Sequence, residues 1–71
     1  MEVPVVSSNI ESLDYNAETQ DLIVKFHGGR RYKATPVPQS VYKRFLKAKS
    51  KGKFFNECVK DVYMVSKLEG E

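Results

Sequence analysis

The fold is decided by residues 21–35, which read DLIVKFHGGRRYKAT. Residues 21–26 are rich in β-branched and aromatic side chains, as is typical of a strand. Gly28 and Gly29 follow, and glycine reaches positive φ without steric cost, so this pair indicates a hairpin turn. Residues 30–35 then predict the returning strand, which Pro36 ends.

The loop length sets the hairpin register. A two-residue loop would place Lys33 opposite Val24 on the apolar face. A three-residue loop over 27–29 keeps apolar side chains together, and a slip of one residue would turn every side chain over. We therefore predict the three-residue loop, with Val24 paired to Tyr32 and Leu22 paired to Ala34. The opposite face then carries Ile23 and three cations, Lys25, Arg31 and Lys33.

The flanking sequence predicts one more strand and two helices. Residues 10–15 alternate as a strand, and the polar residues 16–21 form a loop. Pro38 suits the first turn of a helix, whose apolar stripe is Val41, Tyr42, Phe45 and Leu46, with Lys49 at the same spacing. A second helix over 53–63 buries Phe55, Cys58, Val59 and Val62. Between the helices, either Gly52 ends the first in a left-handed conformation or Ser50 caps the second.

These elements define an α+β fold, a three-stranded antiparallel meander followed by two C-terminal helices packed on one face. A chain of 71 residues makes one domain over 1–71, with its core at about 7–63. Residues 64–71 either extend the second helix or fray.

Composition narrows the class of protein. Cys58 is the only cysteine, so no intrachain disulfide forms and a reducing cytoplasm is favoured. The N-terminus has no basic start and no long apolar run, so it does not resemble a signal peptide. No apolar run approaches the roughly 20 residues of a membrane helix. We expect a soluble, cytoplasmic monomer without a membrane partner.

Charge is strongly segregated along the chain, although its net value is only +3. Residues 1–24 hold five acids and no Lys or Arg, whereas residues 25–53 hold ten bases and no acid. Lys and Arg bind phosphate backbones with release of counterions. The predicted binding residues are Lys25, Arg30, Arg31, Lys33, Lys43, Arg44, Lys47, Lys51 and Lys53. Whether the acidic N-terminal segment screens this basic face is left open by the sequence.

Three aromatic residues, Tyr32, Tyr42 and Phe54, interleave with the bases. Aromatic rings beside cations are typical of single-strand binding, because bases stack on them. Tyr32 and Tyr42 fall on predicted buried faces, so the alternative is that these rings pack in the core.

From Ser7 to Tyr63, about four-fifths of the chain, the sequence resembles the KTSC domain, a short module named for the C-terminus of some lysyl-tRNA synthetases. The most specific stretch is residues 48–56, AKSKGKFFN. The other matching positions are Ser7-Ser8, Ile10, Tyr15, Leu22, Val24, Phe26, Gly29, Tyr32, Val37-Pro38, Val41-Tyr42, Val59 and Tyr63. The family tends to carry Tyr-x-Tyr in the third strand, where this chain has Tyr32-Lys33-Ala34. By analogy with the synthetase, the resemblance implies RNA binding.

No pattern of residues predicts catalysis. A nucleophilic Cys58 would need His27, which falls in the predicted turn, and an apolar helical position makes Cys58 a packing residue. His27 is expected to be exposed, with a phosphate contact as its functional alternative. One Cys and one His make no metal site, Gly28-Gly29 makes no nucleotide loop, and we expect no cofactor and no small-molecule substrate.

Two functions fit these observations. The first is a non-catalytic module that binds RNA or other nucleic acid through its basic face. The second is a protein-interaction module or small regulator, of a kind that phages also encode. It would dock on an acidic surface of a transcription or translation enzyme.

Overall fold

The computed structural model describes residues 2–68, which form one antiparallel sheet covered on one face by helices. The sheet has five strands in chain order. The strands are β1 (Glu2–Pro4), β2 (Ile10–Asn16), β3 (Asp21–Phe26), β4 (Arg31–Thr35) and β5 (Met64–Lys67). The helical layer consists of α1 (Gln39–Lys47), α2 (Lys51–Phe54) and a π-helical segment (Phe55–Lys60). No described helix is long and apolar enough to cross a membrane.

The predicted three-stranded meander is therefore wrong in its strand number, although the fold is α+β. β1 adds to the outer edge of β2, with Val3 opposite Leu13. β5 adds to β4, with Val65 opposite Ala34. Residues 64–67 thus neither extend a helix nor fray, because Val65 packs against the core and the strand completes the ladder of β4. Residues 69–71 lie outside the described part of the chain.

The predicted hairpin register is confirmed. Leu22 pairs with Ala34 and Val24 pairs with Tyr32, on either side of a loop over residues 27–29. Gly28 and Gly29 take φ of +99° and +93°, a conformation that side chains with a Cβ rarely adopt.

A β-bulge between Ile10 and Ser12 adjusts β2 to the core. In a regular strand Ile10 and Leu13 would point to opposite faces, because side chains alternate. The extra residue lets both be fully buried. It also brings Glu11 alongside the end of β3, which matters for the charges described below.

The helix predicted after Pro38 is confirmed as α1, with Pro38 as its N-cap residue. Phe45 is fully buried beneath it. Tyr42 stacks on Tyr15 of β2 at 4.6 Å between ring centroids, and the Tyr15 hydroxyl donates to the carbonyl of Val37. These contacts fasten α1 across the sheet.

The second helix differs from the prediction in form and length. The chain turns first through α2 and then through the π-helical segment, which ends at Lys60 rather than at Tyr63. Val62 is consequently 62% exposed and its predicted burial is wrong, while Cys58 is half-buried. The burial of Phe55 and Val59 is confirmed.

The junction between the helices follows the Ser50 alternative. The Ser50 hydroxyl accepts from the backbone N–H of Lys53 at 3.4 Å, as an N-cap. Gly52 lies inside α2, so the alternative of a left-handed glycine cap is wrong.

The core lies between the sheet and the helical layer. Its buried members are Ile10, Leu13, Leu22, Val24, Ala34, Val37, Phe45, Phe55 and Val59. The other face of the sheet has no described helix over it, and it carries the polar and charged side chains of the strands.

Candidate nucleic-acid interface

The open sheet face carries Lys25, Arg31 and Lys33, as the register predicts, with Lys25 opposite Arg31. Carboxylates lie beside two of these cations. Lys25 Nζ lies 3.5 Å from Glu11 Oε2, and Lys33 Nζ lies 3.5 Å from Asp21 Oδ2. The acidic N-terminal segment therefore folds beside the basic strands and offsets their charge, which answers the question that the sequence left open.

Acids also border the rest of this face. Arg31 lines a shallow cavity of about 370 Å³ together with Glu2 and Asp14. In the same cavity, the Ser12 hydroxyl donates to the Glu2 carboxylate. A polyanion approaching this surface would meet carboxylates as well as cations, so the sheet is a weaker phosphate-binding surface than its lysines and arginine suggest.

Asp21 is held in its ionised form by its neighbours. The Thr35 hydroxyl, which donates to the carboxylate, is the largest cause of a pKa lowered from the ordinary value of 3.8, and Lys33 adds to it. Burial opposes this shift without reversing it.

Asp21→Asn is expected to reduce the dependence of stability on acid pH. Because the folded-state pKa of Asp21 is lowered, its contribution is complete above pH 3.8 and is lost as pH falls through the folded-state value. The free energy of unfolding from urea titrations between pH 2 and pH 6, at intervals, should fall less steeply in Asp21→Asn than in the wild type. Glu18→Gln, in the exposed loop between β2 and β3, is the control. Equal slopes in the wild type and Asp21→Asn would contradict the assignment.

A second group of cations lies on α1, on α2 and on the segment between them, and is here called the helical basic surface. It comprises Lys43, Arg44, Lys47, Lys49 and Lys53, all of them exposed. Lys43 and Lys47 are one turn apart on α1, so they project from the same side. Within residues 2–68, the ion pairs of lysines lie on the sheet, and no carboxylate pairs with a member of this group.

Arg44 is positioned by an aromatic ring. Its guanidinium lies over the ring of Phe54, 5.7 Å from the centroid, and Phe54 packs against the buried Phe45 at 5.0 Å. Such a cation–π contact holds the guanidinium plane without consuming its hydrogen-bond donors. Arg44 therefore remains able to donate to a phosphate.

Two predicted binding residues occupy other positions. Lys51 Nζ donates to the Ala48 carbonyl, just after α1, at 2.5 Å. This lysine is therefore half-buried and its ammonium group already has a hydrogen-bond partner. Arg30 lies at the hairpin, with its guanidinium 5.9 Å from the Phe26 centroid.

Lys49 is the cation that sequence reasoning omitted from the predicted site. Its spacing from Phe45 suggested a place on the apolar stripe of α1. The helix ends at Lys47, however, so Lys49 lies beyond it and is exposed. The backbone N–H of Ala48, which donates to the Phe45 carbonyl at 3.2 Å, marks this end.

The interleaved aromatics are packing residues for the most part. Tyr42 stacks on Tyr15, and burial is the main cause of its raised pKa, with the charge of Asp14 second. Tyr32 contacts Phe26 edge-on at 5.5 Å. Ala34, where the family tends to have a second tyrosine, is 1% exposed, so this position belongs to the core and not to an open stacking surface.

His27 is exposed in the hairpin turn, as predicted. Its Nε2 lies 3.0 Å from the Ser7 carbonyl, to which an Nε2–H donates, and its Nδ1 lies 3.9 Å from Glu11 Oε1. Half-buried Cys58 lies on the π-helical segment. Within the described residues, no three side chains of His, Cys, Asp or Glu are grouped to hold a metal ion.

The structure is that of a small α+β domain with two groups of basic residues on its surface. Residues 6–63 match the KTSC domain, and the chain belongs to this family. It is 42% identical over 57 residues to a protein of Tsukamurella paurometabola, covering 80% of this chain and 85% of that protein. It is 40% identical over 58 residues to an uncharacterised protein of Stutzerimonas stutzeri, covering 82% of each.

A solved structure shows the same fold. The crystal structure of a KTSC domain protein from Yersinia pestis superposes with a TM-score of 0.88 at 31% identity. The match covers 97% of both chains, so it extends beyond the family segment at both ends.

Proposed function

We propose that this KTSC domain is a non-catalytic module that binds single-stranded nucleic acid, RNA above all, through the helical basic surface. The observation that carries the proposal is the contrast between its two sets of cations. Lys25 and Lys33 on the sheet are paired with carboxylates, whereas the five cations of the helical basic surface have no such partner among the described residues. Unpaired, exposed cations are available to replace the counterions of a phosphate backbone.

The arrangement of these cations suits binding to a flexible nucleic-acid backbone without recognition of the base sequence. Lys43 and Lys47 are separated by about 6 Å along the axis of α1, from the rise of a helix. Arg44, stacked on Phe54, adds a planar guanidinium that pairs with phosphate through two donors. Point charges on long side chains contact phosphates rather than bases, so specificity for sequence should be weak.

The direct test is fluorescence anisotropy of a labelled single-stranded RNA, titrated with the protein at several salt concentrations. Five phosphate contacts predict that log Kobs falls with log salt at a slope of up to about −3.5, at roughly −0.7 for each contact on a single strand. Absence of binding at 25 mM salt would reject the proposal.

An acidic protein surface could bind the same cations, so a second experiment is needed to distinguish a protein partner from a nucleic acid. A tagged copy of the protein, incubated with lysate before and after nuclease digestion, separates the two classes of partner. Our proposal predicts that the captured material is mostly nucleic acid and is lost on digestion. A single protein retained at constant yield would favour the regulator instead. Cytoplasmic location, suggested by the lone Cys58, is part of the proposal.

A further inference from the structure

A groove at the hairpin end of the sheet is separate from the helical basic surface. It consists of two adjoining cavities of about 210 and 200 Å³. Both are lined by Phe26, Arg30 and Asn56, which therefore lie at their junction.

One half of the groove is mainly apolar and aromatic. Its lining adds Tyr32, Phe55, Val65 and Lys60 to the shared residues. The rings of Tyr32 and Phe55 both contact Phe26 edge-on, at centroid distances of 5.5 and 5.3 Å. Phe55 is buried, so the ring surface that this cluster offers to a planar group belongs to the half-buried Phe26 and Tyr32, and the exposed Lys60 lines the same half.

The other half is polar and is held in place by several hydrogen bonds. Its lining adds Ser8, Asn9, His27 and Gly52. The Ser7 hydroxyl accepts from the backbone N–H groups of Asn9 and Ile10, each at 3.2 Å, and its carbonyl accepts from His27. A Cβ added to Gly52 would lie 2.9 Å from Asn9 Nδ2, so the absence of a side chain there lets Asn9 approach α2 closely.

The groove brings together two of the stretches that carry the family resemblance, Ser7-Ser8 before β2 and residues 48–56. The π-helical segment contributes to this junction. Its backbone hydrogen bonds join residues five apart, which is uncommon and occurs frequently at functional sites. Phe55 and Lys60 are five apart on it, and both line the apolar half with Asn56.

From this geometry we infer that the groove binds one nucleotide unit, with the base in the apolar half and the phosphate in the polar half. The inference rests on the proposed function and adds a second site to it. Arg30 at the junction supplies donors for the phosphate, and the described lining of both halves contains no carboxylate. Glu11 lies beside the polar half, with its Oε1 3.9 Å from His27 Nδ1.

A nucleotide fits this groove better than an acidic peptide does. The side-chain amide of Asn56 both donates and accepts, so it matches the edge of a base, which presents both kinds of group. Aromatic rings bind bases by stacking, whatever the base, because every base has a π-face. The carboxylate of an acidic peptide would pair with Arg30, but it has no planar ring to stack in the aromatic half.

The experiment is a titration of ¹⁵N-labelled protein with adenosine 5′-monophosphate, with ribose 5-phosphate as the matched probe that lacks a base. We expect the monophosphate to shift the side-chain amide signals of Asn9 and Asn56 and the backbone signals of Tyr32 and Phe55. Ribose 5-phosphate should shift Asn9 and Arg30 and leave Phe55 unchanged. Arg30→Ala should weaken nucleotide binding about tenfold, since it removes a charge-assisted hydrogen bond.

Two outcomes would overturn the inference. One is the absence of any shift in the groove at millimolar nucleotide. The other is a set of shifts confined to the helical basic surface. If single-stranded RNA still bound with shifts on α1 in either case, the proposed function would stand and the groove alone would be rejected.

Gly52→Ala separates a binding role of the groove from a structural one. Alanine is favoured over glycine in a helix, and the clashing atom is the end of the flexible Asn9 side chain. We expect the midpoint of thermal unfolding to be unchanged or raised, while adenosine 5′-monophosphate binds at least threefold more weakly. A variant that unfolds at markedly lower temperature, or that binds the nucleotide as the wild type does, would contradict this account of Gly52.

Discussion

Phe45→Ala is expected to lower the free energy of unfolding by about 3–5 kcal/mol, the range for removing a buried phenylalanine side chain. Phe45 is 0% exposed and lies between the sheet and the helical layer, in contact with Phe54. Removing its ring leaves a cavity and withdraws the support of Phe54, on which Arg44 stacks. A domain of this size has little stability in reserve, so the variant should be largely unfolded at 37 °C.

Urea denaturation followed by far-ultraviolet circular dichroism measures this effect. Lys47→Ala is the control, because Lys47 is exposed on the same helix and alanine favours helix. Its free energy of unfolding should stay within about 0.5 kcal/mol of the wild type. A loss below 1 kcal/mol in Phe45→Ala would show that α1 does not depend on this contact.

Lys43→Gln/Lys47→Gln is expected to weaken binding of single-stranded RNA by roughly 10- to 100-fold at 50 mM salt, from the loss of two phosphate contacts. Both residues are exposed on one side of α1 without a carboxylate partner among the described residues. Glutamine keeps most of the side-chain length and its helix propensity, so the fold should be retained. Anisotropy of the labelled strand gives the ratio of the two affinities.

The matched control is Lys25→Gln/Lys33→Gln, which removes the same two charges from the sheet. These lysines pair with Glu11 and Asp21, so their net contribution to a phosphate should be small. We expect the control to bind RNA within about threefold of the wild type, apart from the general effect of net charge. An equal loss of affinity in both double variants would assign binding to the overall charge and not to the helical basic surface.

The centre of the fold follows from local patterns in the sequence. The hairpin and its register follow from Gly28-Gly29 and the apolar alternation beside them, because a slip would bury Lys33. The start of α1 follows from Pro38, and the buried position of Phe45 follows from its spacing. Each of these signals lies within a few residues of the feature that it predicts.

The outer strands could not be predicted in the same way. β1 and β5 have three and four residues, too short for an alternation to be distinguished from chance. β1 also contains Pro4, which is tolerated because this strand lies at the edge of the sheet. β5 is a strand because β4 offers it an unpaired edge, and this is a property of the folded chain.

The charge pattern predicts a group of basic surface residues but not how the fold arranges them. Eight of the nine predicted binding residues lie on the open sheet face, on the helical basic surface or in the groove, whereas Lys51 donates to the Ala48 carbonyl. Pairing of Lys25 with Glu11 depends on the bulge in β2, which no local signal reveals. The groove depends on contact between Asn9 and Gly52, residues that are distant in sequence.

The most direct test of the central claim is the difference in salt dependence between the wild type and Lys43→Gln/Lys47→Gln. Anisotropy titrations with one single-stranded RNA at four salt concentrations give the slope of log Kobs against log salt for each protein. If these two lysines contact phosphates, the slope of the variant should be smaller in magnitude by about 1.4, twice the roughly 0.7 released for each contact. Identical slopes would contradict the claim that the helical basic surface binds the nucleic-acid backbone.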